Sequence, residues 1–228
     1  MQTSGIIPLL SFVAIRTIIR IALLYNLENK FVKEARKMNI DLGKLEREVR
    51  EVIAKSAFVE TEALKFLSED ECSLVRRNVA TNPNATDTIL GSLSKDEDSY
   101  VRAGVAKNPA TSGKILDFLS KDEDDVVRFE VARNESTLSE TLVRLSDDKH
   151  PVIRRSVAIN KNTLPETLAL LGEELYDFGI KYFVAHNPNT PEEVRENLKK
   201  SLPRGTWAVT PDIEMLRNYY DNEDDDWD

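Results

Sequence analysis

LSKDEDSYVRAGVAKNPAT, residues 93–111, decides the fold, because it is one of four copies. The others are LSEDECSLVRRNVATNPNAT (67–86), LSKDEDDVVRFEVARNEST (119–137) and LSDDKHPVIRRSVAINKNT (145–163). Leu67, Leu93, Leu119, Leu145 and Leu171 are each 26 residues apart. Arg76, Arg102, Arg128 and Arg154 keep the same step, as do Asn82, Asn108, Asn134 and Asn160. A fifth copy from Leu171 carries one extra residue, so Lys181 and Asn187 arrive 27 later. Counting back 26 from the first copy reaches Val49, Arg50, Ile53, Ala54 and Ser56, a degenerate half-repeat. An internal repeat of this period signals an array of stacked units.

Each copy predicts two short helices. Val75, Val79 and Ala80 fall at i, i+4 and i+5, a helical spacing. Pro151 suits the first turn of a helix, which makes His150 the N-cap there, and Cys72, Asp98 and Asp124 hold the same place. The first helix ends near Asn82-Pro83, since the residue before proline avoids α geometry. Thr190-Pro191-Glu192-Glu193 marks the start of a second helix, with threonine as its cap. Its apolar residues in earlier copies are Ile89, Leu90 and Leu93, then Ile115, Leu116 and Leu119. Two such helices cannot bury their apolar stripes alone, and stacked copies can. The expected fold is all-α: a right-handed α-solenoid of about five and a half 26-residue units. The expected division is an apolar segment over 1–30, the repeats over 31–202, and a C-terminal cap with an acidic tail over 203–228.

The unit L-x-x-D-x-x-x-x-V-R-x-x-V-A-x-N-P-x-T resembles the leucine-rich repeat variant, a relative of HEAT and armadillo repeats. The resemblance covers about residues 44–200. It implies a binding scaffold whose units pair two helices in a right-handed superhelix. Some members carry a cysteine cluster for an iron–sulfur centre; Cys72 is the one cysteine here, so that property does not transfer. Two copies depart from Asn-Pro, at Asn134-Glu135 and Asn160-Lys161.

Composition narrows the functional classes. One cysteine and two histidines leave no donors for a thiolate or histidine-rich metal cage, so no cofactor is expected. Eight glycines and the lack of GxxxxGK or GxGxxG argue against a phosphate-binding loop. The net charge of −9 disfavours nucleic acid as a partner, although six carboxylates lie in the last eight residues, DNEDDDWD. That run repels itself and is expected to fray. A short helix from Asp212 is expected to fold back over the last repeat. Residues 5–27, GIIPLLSFVAIRTIIRIALLYNL, are long enough to span a membrane but contain Arg16 and Arg20. They read as a membrane anchor of a cytoplasmic protein, a buried cap or oligomer helix, or a targeting or gene-start artefact.

Asp70 with Arg76, Asp96 with Arg102, Asp122 with Arg128 and Asp148 with Arg154 recur six apart. A guanidinium fork takes a carboxylate and carbonyls together, which suits a ladder between neighbouring units. Partner contacts are expected where copies differ. With Val75 set near 0° on a helical wheel, Val79, Arg76 and Ala80 fall at about 40°, 100° and 140° and barely change between copies. Arg77, Thr81 and Asn78 fall at about 200°, 240° and 300° and vary freely. That arc collects Arg77, Lys107, Phe129, Arg133, Arg155, Tyr182 and Phe183 as the candidate binding surface for a protein or peptide. Its aromatics are expected to be exposed and of the kind that anchor interfaces. The alternatives are a nucleic-acid binder like the HEAT-repeat DNA glycosylases, a HEAT-like subunit handling prosthetic groups, and an adaptor anchored through residues 5–27. No positioned nucleophile or base stands out, so an enzyme is not expected.

Overall fold

The structure is a computed structural model that describes residues 42–173 and 177–201. A short 3-10 turn, Leu42–Lys44, leads into α1 (Arg47–Lys55) and α2 (Thr61–Leu67). Five helix pairs follow. They are α3 (Ser73–Ala80) with α4 (Asp87–Leu93), and α5 (Ser99–Lys107) with α6 (Gly113–Leu119). Next come α7 (Asp125–Arg133) with α8 (Ser139–Leu145), and α9 (Pro151–Ile159) with α10 (Pro165–Gly172). The last pair is α11 (Phe178–His186) with α12 (Glu192–Ser201), and no strand occurs among the described residues. The fold is all-α and of solenoid type, with one helix pair per repeat.

Helices of 7–10 residues are too short to persist alone in water, where about 12–15 residues are needed. Stacking has to supply the stability. The described residues form two compact units that divide after Ile115. In the first, α1, α3 and α5 lie side by side, with α2 and α4 packed against them. In the second, α9 lies between α7 and α11, and α10 touches both α11 and α12. The repeat leucines 67, 93, 119, 145 and 171 are all buried. Each such leucine contributes about 1.5–3 kcal/mol relative to exposure.

The helix ends follow local chemistry. Asp98 accepts a hydrogen bond from the Tyr100 N–H at 2.8 Å, and Asp124 from the Val126 N–H at 2.9 Å. Cys72 and His150 hold the same N-cap position without a capping bond. The threonines behave otherwise than expected. Thr111, Thr137 and Thr163 donate back to the carbonyls of Val105, Val131 and Val157, each at 2.6 Å. Thr190 does the same to Val184, and α12 starts only at Glu192. These hydroxyls close the first helix rather than open the second. Thr86, one position later in the repeat, is a true cap and accepts from the Ile89 N–H at 3.4 Å.

No helix among the described residues is long and apolar enough to cross a membrane. Residues 5–27, the expected cap from Asp212 and the acidic tail lie outside the described residues.

Candidate functional site

The constant residues of each repeat form two kinds of clamp between neighbours. In the first, Arg76 donates from Nε and Nη2 to both oxygens of Asp96, at 2.7 and 2.9 Å. Its Nη1 donates to the Asp70 and Glu71 carbonyls, at 2.9 and 3.2 Å. Arg128 repeats this with Asp148 at 2.7 and 3.3 Å and with the Asp122 and Glu123 carbonyls at 2.8 and 2.9 Å. Arg102 and Arg154 each reach the carbonyl of the aspartate six residues back, Asp96 and Asp148, at 2.9 Å. The aspartate six residues back thus offers its backbone, and the carboxylate comes from the repeat ahead, 20 residues on. Arg50 of the half-repeat makes one more rung, to Asp70 at 2.6 Å. Each aspartate also accepts from the N–H two residues on: Asp70 from Cys72, Asp96 from Asp98, Asp122 from Asp124 and Asp148 from His150.

Burial pushes the Asp96 carboxyl up, but the hydrogen bonds from Arg76 and the Asp98 N–H outweigh it and hold the group below the usual carboxylate range. Asp148 is held low by the same balance, with Arg128 and the His150 N–H as donors. The hydrogen bond to Asp96 raises Arg76, and that to Asp148 raises Arg128.

The second clamp is the repeated asparagine. Asn108 Nδ2 donates to the carbonyls of Ala80 and Asn82 in the preceding repeat, at 2.7 and 2.9 Å. Its Oδ1 accepts from the Ala110 N–H at 2.9 Å. Asn82, Asn160 and Asn187 make equivalent bonds, to Ala54 and Ser56, to Ala132 and Asn134, and to Ala158 and Asn160. These side chains join one turn to the next.

The variable arc is narrower than the wheel implied. First helices pack flank to flank, so each buries both flanks as well as its inner side. Phe129, expected outside, is 1% exposed and belongs to the core. Asn78, Ala103, Gly104 and Ser156 are buried too. A Cβ on Gly104 would lie 3.2 Å from Ala80 Cβ and 3.3 Å from Thr81 Cγ2, so α5 approaches α3 at a position without a side chain.

What remains outside is a stripe along each unit. In the first it holds Leu74, Arg77, Thr81, Tyr100 and Lys107. The Arg77 guanidinium lies 5.6 Å from the Tyr100 ring centre. In the second, Arg133, Arg155, Tyr182, Phe183 and His186 hold it, all but His186 half-buried. Arg133 lies 5.1 Å from the Phe129 ring centre, so its stem covers that core residue. Arg155 is ion-paired with Asp177 at 3.0 Å. Tyr182 meets Phe183 edge-on at 5.7 Å and His186 at 4.2 Å, and burial pushes its hydroxyl up.

A solved structure described as "a leucine-rich repeat variant with a novel repetitive protein structural motif" superposes with a TM-score of 0.54 at 24% identity. The match covers 75% of this chain and 71% of that one. This chain has the leucine-rich repeat variant fold. No family model and no curated protein matches it.

Within this fold, Leu74 and Tyr100 are surface residues that sequence reasoning missed. Tyr100 is 47% and Leu74 39% exposed. Their position falls at about 260° on the wheel, mid-arc, and changes from Leu to Tyr, Val, Val and Gly. The variation was the available signal. Among the described residues, no group of three or more His, Cys, Asp or Glu is placed to hold a metal ion.

Proposed function

We propose that the chain is a non-enzymatic scaffold that binds a protein or peptide along the outer stripe of its first helices. The observation that carries this reading is a division of labour. Constant Arg, Asp and Asn side chains are spent on joining repeats, while several of the residues that differ between copies form an outer stripe on each unit. The residues best placed for contact are Leu74, Arg77, Tyr100 and Lys107 in the first unit and Arg133, Arg155, Tyr182 and Phe183 in the second. Helices α3, α5, α9 and α11 carry no acidic residue although the chain is acidic overall, and α7 alone of the first helices in the stripe carries two, Asp125 and Glu130. That favours a partner with carboxylates beside apolar groups.

The reading excludes Phe129 from the contact set, because truncating a core phenylalanine tests stability instead. The test combines Arg77→Glu, Tyr100→Ala, Arg133→Glu and Tyr182→Ala in the full chain. Captured proteins are compared by mass spectrometry with those held by the parent chain. Loss of specific captures with an unchanged far-UV circular dichroism spectrum supports the reading; an unchanged set removes it.

The nucleic-acid alternative draws little support from the arginines. Arg50, Arg76 and Arg128 are buried in ion pairs, and Arg155 is paired with Asp177.

A further inference from the structure

The second helices of the 116–228 unit carry a surface distinct from the outer stripe. Leu170 on α10 is 68% exposed, and Val143 on α8 is 47% exposed. Leu138 and Leu164 stand at the N-caps of these two helices, also exposed, and neither makes a capping bond. In the first repeat the same place is held by Thr86, which does cap. Apolar side chains therefore replace a useful cap and sit in water on successive rows, the mark of an interaction surface. Carboxylates lie beside them. Glu140 on α8 and Glu166 on α10 are exposed and 26 apart, so they hold one position in two successive repeats. Arg144, also on α8, is paired with Asp117 at 2.8 Å and adds no net charge. The face formed by α8 and α10 is thus apolar and acidic.

The stripe of the first unit has the opposite charge. Leu74 and Tyr100 are its exposed large apolar residues, Arg77 and Lys107 are its cations, and α3 and α5 carry no acidic residue. We infer that the partner of this stripe is a second copy of the chain, which presents its α8 and α10 face. The inference rests on the outer-stripe reading above and names the partner of that surface.

Charge, period and order all match. Basic residues beside apolar ones meet carboxylates beside apolar ones, which steers encounter and fixes register. Each surface gains one row per repeat, so a stripe helix seated on one row brings its neighbour to the next. Leu74 precedes Arg77 by three residues, while Glu140 and Glu166 precede Val143 and Leu170 by three and four. Residues at those separations are neighbours on a helix surface, about 5–6 Å apart between Cβ atoms. The order is apolar then basic on α3, and acidic then apolar on α8 and α10. Helices laid antiparallel therefore set apolar on apolar and cation on carboxylate at once. The two surfaces differ, so the contact is heterologous: each junction leaves one stripe and one face unused, and further copies can add. A few rows bury an area at the low end of specific interfaces, so the association is weak and depends on concentration.

The experiment is sedimentation velocity of the full chain across a concentration series. The average mass of the parent should rise with concentration, and less steeply in high salt. A stripe variant, Arg77→Glu with Tyr100→Ala, and a face variant, Glu166→Arg with Leu170→Ala, should each stay monomeric with the far-UV spectrum unchanged. Mixing the two should restore heterodimers and nothing larger, since one intact stripe then meets one intact face. A parent that stays monomeric into the millimolar range overturns the inference and leaves the outer-stripe reading to its own capture experiment. Self-association that survives either variant overturns it, because the copies then meet elsewhere. So does a mixture that stays monomeric. If a variant fails to fold, Tyr100→Cys and Leu170→Cys in separate Cys72→Ser chains decide. A disulfide heterodimer forming several-fold faster than either homodimer under mild oxidation supports the contact, and equal rates refute it.

Discussion

Replacing Asn108 by Asp tests whether the asparagine clamp holds repeats together. Asn108 is 1% exposed, and its amide donates two hydrogen bonds to the Ala80 and Asn82 carbonyls. Aspartate keeps the shape and the acceptor for the Ala110 N–H, but turns both donors into an oxygen facing two carbonyl oxygens. Two lost bonds at about 1 kcal/mol each, plus about 1–3 kcal/mol for the polar groups left unsatisfied, give a loss of about 3–5 kcal/mol. The new carboxyl is buried without a cation, so its folded pKa rises. A raised folded pKa makes the penalty smallest below the unfolded value, about pH 4, and larger as pH climbs through the folded value. The assay is urea unfolding followed at 222 nm at pH 5 and pH 8, with each variant compared to its parent. Asn84→Asp is the control, since Asn84 makes its bond to the Ala57 carbonyl on an exposed surface. It should cost under about 1 kcal/mol. Equal costs for the two variants, or an Asn108 penalty that shrinks toward pH 8, refute the reasoning.

Other consequences can be measured the same way. Asp96 and Asp148 bind protons less readily in the folded chain, so their contribution is present at neutral pH and lost as pH falls below about 4. The melting temperature of Asp96→Asn should start lower at pH 7 and fall less between pH 5 and pH 3 than the parent's; a parallel fall counts against the ladder. Gly104→Leu should cost about 1–3 kcal/mol by forcing α3 and α5 apart. A neutral result in thermal unfolding would mean the contact is slack. Phe129→Ala should lose about 3–5 kcal/mol as a cavity mutation, read from the urea midpoint. A stability unchanged by that substitution would return Phe129 to the surface.

The repeat period was legible because it is carried by residues the fold cannot vary. Leu93 and Val101 fill the core, Arg76 has one geometry that satisfies it, and Asn108 has one turn to hold. Positions such as Cys72 and His150, recognised as N-caps from register alone, stand where expected. The ladder's partner was less legible. Six residues separate Asp70 from Arg76 and twenty separate Arg76 from Asp96, and a periodic sequence offers both pairings equally. Only packing shows that the near aspartate gives its carbonyl and the far one its carboxylate. The surface was misjudged at Phe129 for a related reason. A helical wheel describes an isolated helix, whereas a stacked helix has a neighbour on each flank. The roles of Thr137 and Thr190 were hidden because a hydroxyl between two helices can serve either end.

Each clamp resolved inside a unit reaches one repeat away and no further. Excising residues 68–93 would bring Asp96 to the place of Asp70, opposite Arg50. Asn108 would then face the carbonyls of Ala54 and Ser56 in place of Asn82. Every donor in that junction would meet an acceptor of the same kind at the same offset. The chain is therefore written in interchangeable words, and recombination between misaligned copies can lengthen or shorten it without spoiling the grammar. The last copy shows the tolerance of that grammar: its extra residue falls between Leu171 and Lys181, and Asn187 still finds Ala158 and Asn160. Array length is thus open to selection, independently of the surface each copy displays.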